Sequence, residues 1–194
     1  MKKLSYVFMI ALAAYALQAC NSGKNSGSGA DSSSTKTDTT TKTTTATTTT
    51  VDSSSVKFAN KAGMGGMAEI QLSKLAQQKS TNKKIKDFAD MMVTDHTKAA
   101  DTLSAIAKAK NITLPASLDA DHQKKYDDLS KMSGADFDKG YVKIMVSDHQ
   151  DAVNLFQDEA KNGTDPQLKA FAGKVEPIIQ MHLDAINKIN SGMK

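Results

Sequence analysis

The chain has 194 residues, 24% of them charged, with a formal net charge of +4, one Cys and no Arg or Trp. All the basic charge is Lys, scattered with few aromatics between. Without Arg, the side chain that reads phosphate and guanine in bidentate fashion, no nucleic-acid partner is expected, and a lone Cys leaves no disulfide framework.

The chain opens on Lys2 and Lys3, followed by an apolar run from Leu4 to Leu17. Leu17-Gln18-Ala19-Cys20 resembles the lipobox of a bacterial lipoprotein signal peptide, so residues 1–19 are expected to be removed and Cys20 lipidated. The run is shorter than the ~20 apolar residues of a membrane-spanning helix. Its expected partner is a membrane, reached through the lipid. Asn21, rather than Asp, follows the Cys and favours the outer over the inner membrane. The periplasmic or surface side stays open. Residues 20–55, nearly all Ser, Thr, Gly and Asn after the Cys, bury too little to offset the entropy of ordering and read as a disordered tether.

Residues 56–194 read as one all-α domain, because every apolar pattern there repeats at helical spacing. A first long helix, about Ser55 to Lys79, carries the stripe Phe58, Ala62, Gly65, Glu69, Leu72, Ala76. Its Gly63, Gly65 and Gly66 lower helix propensity and allow close approach or a kink beside Glu69. A very short linker leads to a second helix, about Asn82 to Lys110, capped by Ser80 or Thr81. Its stripe is Ile85, Phe88, Met92, His96, Ala99, Leu103, Ile106. The two helices form an antiparallel hairpin.

A polar connection follows, broken at Leu114-Pro115, with a short helix over His122 to Ser130. His122 itself is expected at the surface. Ser133 and Asp136 resemble a capping box that opens a helix from about Gly134 to Lys161, with the stripe Phe137, Tyr141, Met145, His149, Ala152, Phe156, Ala160. Asn162-Gly163 ends it. Asp165-Pro166 starts the last helix with Asp as N-cap and Pro in the first turn. Its stripe is Leu168, Phe171, Val175, Ile178, His182, Ala185, Ile189, and Pro177 should kink it.

Two hairpins joined by a long crossover make a ferritin-like four-helix bundle. Met92-Val93-Thr94-Asp95-His96 is echoed by Met145-Val146-Ser147-Asp148-His149. If the crossover runs the length of the bundle, both His lie about 24 Å from the same end, and Glu69 and His182 fall near that level. An up-down-up-down bundle would also put both His near mid-height.

Taken together, Met67-Ala68-Glu69-Ile70, Lys86-Asp87-Phe88-Ala89, the two Asp-His motifs, Phe137-Asp138 with Tyr141-Val142, and Pro177 with His182 give the chain its family likeness. It resembles the bacterial domain-of-unknown-function family 4142, exported proteins grouped with ferritin-like bundles. The resemblance implies that fold and no established activity.

Glu69, His96, His149 and His182 are polar residues on apolar stripes, one from each long helix. Three imidazoles and a carboxylate suit a single Zn, Fe, Mn or Cu ion. A standard di-iron site is not expected: Val93, Val146 and Ile179 stand where Glu-x-x-His needs Glu, and the chain has only Glu69, Glu159 and Glu176. Asp95 and Asp148 either orient an imidazole on a neighbouring helix or face solvent. Met92 and Met145 share the His face, as core or as copper-type thioethers. The alternative to metal is a buried Glu–His network that only specifies the fold, in a structural or partner-binding envelope domain. A redox enzyme using Tyr141 is a third reading. The protein partner is open, and a second copy of the chain is one candidate.

Overall fold

The computed structural model describes residues 51–193. The lipobox Cys20, the signal segment and all but the last residues of the tether lie outside the described residues. Five helices follow in order: α1 Ser53–Lys79, α2 Lys83–Ala109, α3 Ala120–Ser130, α4 Gly134–Asn162 and α5 Pro166–Ser191. No described helix is long and apolar enough to cross a membrane.

Side-chain caps set most of the boundaries. Asp52 accepts from the amides of Ser54 and Ser55, so α1 starts at Ser53, two residues before the expected Ser55. Asn82, not Ser80 or Thr81, caps α2 through the amide of Lys84, while Ser80 Oγ accepts from the amide of Asn82. Asp119 caps α3 and draws its start back to Ala120. Ser133 makes no side-chain cap bond, so the expected box with Asp136 does not form. Gly134 enters α4 with φ at +55°, outside the helical geometry the box needs.

Asp165 caps α5 as its sequence foretells, accepting from the amides of Gln167 and Leu168 at 3.0 Å each. Its other oxygen receives Lys110 Nζ at 2.6 Å. Replacing Asp165 with Ala removes both roles and should cost about 1–2 kcal/mol in urea unfolding.

The ends of the helices give the topology. Lys110 at the end of α2 meets Asp165 at the start of α5, and Thr164 reaches Asp52 at the start of α1. At the opposite end Lys79 of α1 donates to the carbonyl of Ser130 and covers the Phe137 ring at the start of α4. Hence α2 and α4 run parallel, and the crossover containing α3 travels the length of the bundle. Helix α1 packs beside α2 and α4, α5 packs beside α4 and α2, and α3 lies over α1 and α4.

The core has aromatic layers on either side of mid-height. Phe58, Phe156 and Phe171 cluster toward the α1 N-terminal end, with ring centres 5.2–6.4 Å apart. Phe88, Tyr141 and Phe137 fill the other end. The Tyr141 hydroxyl is buried against Ser73 Oγ at 2.8 Å, so this phenol is a satisfied core group. Met92 and Met145 are core residues as well.

One stripe differs from its expected course. In α5 the buried face beyond Pro177 is Ile179, His182, Leu183 and Ile186, while Ile178 is 40% exposed. Ile178 and Ile179 are chemically equal, so packing against α2 and α4 made the choice. The helix continues through Pro177 to Ser191.

Candidate metal centre

Between the two aromatic layers the four long helices each contribute one polar side chain. Glu69, His96, His149 and His182 are all buried. The imidazole ring centres lie 5.3, 5.6 and 5.8 Å apart, a nearly equilateral triangle. One ring nitrogen from each histidine lies within 4.8 Å of one from each of the others.

Carboxyl groups stand behind the rings. Glu69 spans two of them, with Oε2 at 3.1 Å from His96 Nδ1 and Oε1 at 3.3 Å from His149 Nδ1. His149 Nδ1 also lies 2.9 Å from the carbonyl of Met145, to which it can only donate, so its proton is on Nδ1. His182 Nε2 meets Asp95 Oδ2 at 3.2 Å. Of the two alternatives for Asp95, the structure takes the imidazole-orienting one rather than the solvated surface, with the side chain still partly exposed.

The opposite nitrogens are left over. Among the described residues, His96 Nε2, His149 Nε2 and His182 Nδ1 are buried without a hydrogen-bond partner. Buried polar atoms without partners cost about 1–3 kcal/mol each, and three in one layer require an explanation.

Burial governs the protonation states. It lowers His96 to about 3, helped by the other two imidazoles, and His149 to about 4, helped by His182. His182 is held below its ordinary range by burial, against the pull of Asp95. All three rings are therefore neutral at pH 7, and each keeps one lone pair. Burial pushes Glu69 up to about 8, with nearby Asp148 adding to the rise and Lys125 opposing it.

Asp148, the counterpart of Asp95 in the duplicated motif, does not touch a histidine. It pairs with Lys125 of α3 at 2.6 Å, and its second oxygen is buried and unpartnered. His122 is half-buried and turned back on Asp119 at 2.7 Å.

A cleft of about 1100 Å³ leads to this layer from the side covered by the crossover. Its lining includes Glu69, His96 and His182, and the α3 residues Asp121, His122 and Lys125. The glycines of α1 border it. A Cβ on Gly65 would meet nothing within 4 Å, and one on Gly66 would lie 3.8 Å from His96 Nδ1. The sequence signalled these glycines as a close approach or a kink; Gly66 lies beside His96, and Gly65 faces open space.

The family model described as Domain of unknown function (DUF4142) matches residues 40–189. No curated protein matches the chain. Among solved structures, a DUF305 fragment from Deinococcus radiodurans aligns with a TM-score of 0.64 at 11% identity, covering 72% of this chain and 96% of that one. CopM in its Cu(I)-bound form aligns with a TM-score of 0.61 at 14% identity, covering 71% of this chain and 96% of that one. At these identities the likeness is one of fold.

Proposed function

This chain belongs to the DUF4142 family, and we propose that its helical domain binds one transition-metal ion, carried on a lipid-anchored protein of the bacterial envelope. One observation carries the metal reading: three neutral imidazoles, each with a carboxyl group behind it, hold buried unpartnered nitrogens in one layer. Carboxylate–histidine–metal arrangements fix the tautomer and orientation of ligating rings in this way. With ring centres 5.3–5.8 Å apart and one nitrogen of each ring within 4.8 Å of the others, His96, His149 and His182 could together hold one ion. Glu69 then acts on His96 and His149 from behind rather than as the fourth ligand.

An all-nitrogen donor set without thiolate suits Zn or Cu better than Mn. Copper is the first ion to test, since CopM, a protein of the same fold, holds Cu(I). A self-contained Glu–His network explains the layer less well, because such a network would have paired the three nitrogens.

Untagged protein should carry one equivalent of metal by elemental analysis, and a His96→Ala/His149→Ala protein none. An untagged protein that takes up neither Cu nor Zn, with the double variant indistinguishable from it, returns the layer to a fold-specifying role. Asp95→Asn keeps the shape but weakens the acceptor behind His182, and should lower metal affinity about 10–100-fold without shifting the unfolding midpoint of the metal-free protein.

The envelope address rests on Lys2-Lys3, the apolar run and the lipobox ending at Cys20. Fatty-acid labelling of the expressed chain that is abolished by Cys20→Ala tests it.

A further inference from the structure

Resting on the metal reading above, we propose that the metal at His96, His149 and His182 keeps one coordination position toward the cleft. There the cleft takes a second ligand: a small neutral organic molecule with a nitrogen donor at one end and an apolar body. A three-histidine metal with a fourth position left to an exchangeable group is the usual form of a reactive rather than a closed site.

Four features of the cleft select this class. Its floor includes His96 and His182, which are 8% and 1% exposed and whose Nε2 and Nδ1 atoms have no protein partner. Its volume, about 1100 Å³, is slightly above the usual range of a small-molecule site and leaves room for an organic body. One wall is apolar, formed by Phe156, Phe171, Val175 and Ile179. The rim carries Asp119, Asp121, Asp128 and Asp151 against Lys61 and Lys124, which disfavours anions.

Gly65 of α1 lies in the cleft lining. A glycine inside a helix costs about 1 kcal/mol relative to Ala, yet a Cβ there would touch nothing within 4 Å. The position borders open cleft space, so a large side chain placed there would project into it.

The test uses the whole chain loaded with Co(II), with one equivalent verified by elemental analysis, and reads the visible cobalt spectrum. Imidazole, 4-phenylimidazole and azide are titrated in turn. 4-Phenylimidazole should shift the spectrum and bind at least tenfold tighter than imidazole, with azide weaker than both. Gly65→Phe should still hold one cobalt but lose at least tenfold in 4-phenylimidazole affinity, and Gly65→Ala should match the parent. Cobalt bound with no spectral response to any of the three overturns the open position and leaves the metal reading standing. Azide binding as tightly as 4-phenylimidazole, or a Gly65→Phe protein that binds it undiminished, overturns the ligand class. No uptake of cobalt, copper or zinc sinks both readings.

Discussion

Replacing His149 with Leu should yield a protein that has lost metal affinity by roughly a thousandfold yet, stripped of metal, resists urea better than the parent. His149 is fully buried, with one nitrogen unpartnered and Phe88 at 6.2 Å between ring centres. Leu supplies similar bulk and removes the polar atom that nothing in the protein satisfies. The Met145 carbonyl stays bonded within α4, and Glu69 loses its 3.3 Å neighbour but keeps His96 at 3.1 Å. The expected gain is about 1–2 kcal/mol. A fold-specifying network predicts the opposite sign, since removing one member would leave its partners buried and unpaired. Urea melts of both proteins in chelator, set beside their metal content, decide between the two. Adding metal should reverse the ranking, because an ion at a thousand times its dissociation constant stabilises the parent by about 4 kcal/mol.

The metal-free protein should be most stable near pH 6.5. His96 and His149 are lowered to about 3 and about 4 from 6.5, so below pH 6.5 the unfolded chain takes up protons that the fold refuses. Their contribution is complete above pH 6.5 and is lost as pH falls toward those values. Glu69 acts in the other direction. Raised to about 8 from 4.5, it binds a proton more tightly in the fold, and its contribution is complete below pH 4.5 and lost as pH rises through 8. Each group changes stability by about 1.4 kcal/mol per pH unit within its window. From pH 6.5 to 8 Glu69 acts alone, and stability falls as pH rises. From pH 6.5 down to 4.5, His96 and His149, with His182 lowered in the same sense, outweigh it, and stability falls as pH drops. Urea midpoints at pH 5, 6.5 and 8 in chelator check this, and a steady rise from 5 to 8 would mean that Glu69 is ionised in the metal-free fold.

The helices were legible because a 3.6-residue period is a local property, written into each segment by where its apolar side chains fall. The duplicated Asp-His motif gave the position of the polar layer, and the short linker between α1 and α2 gave their hairpin. Less was legible where two residues could serve equally. Ile178 and Ile179 are adjacent and alike, and only the neighbouring helices decide which is buried. The duplicated Asp95 and Asp148 look equivalent in sequence, yet one backs His182 and the other pairs with Lys125. That difference arises because α3 crosses over α4 near Asp148, while Asp95 faces α5. The cleft had only a faint signal in Gly65 and Gly66, since a glycine reports a missing side chain and not what surrounds the gap.

By itself the sequence determined the all-α bundle and which four polar residues reach its middle. Tertiary structure alone decided the chemistry of that layer: which carboxylate stands behind which ring, and which nitrogens remain free. The Asp95–His182 contact joins residues 87 positions apart, and His96 and His149 share one carboxylate from a third helix. Helical periodicity fixes the face on which a side chain lies, whereas a hydrogen bond between helices depends on their relative rotation and height. Those are set by the packing of the entire core.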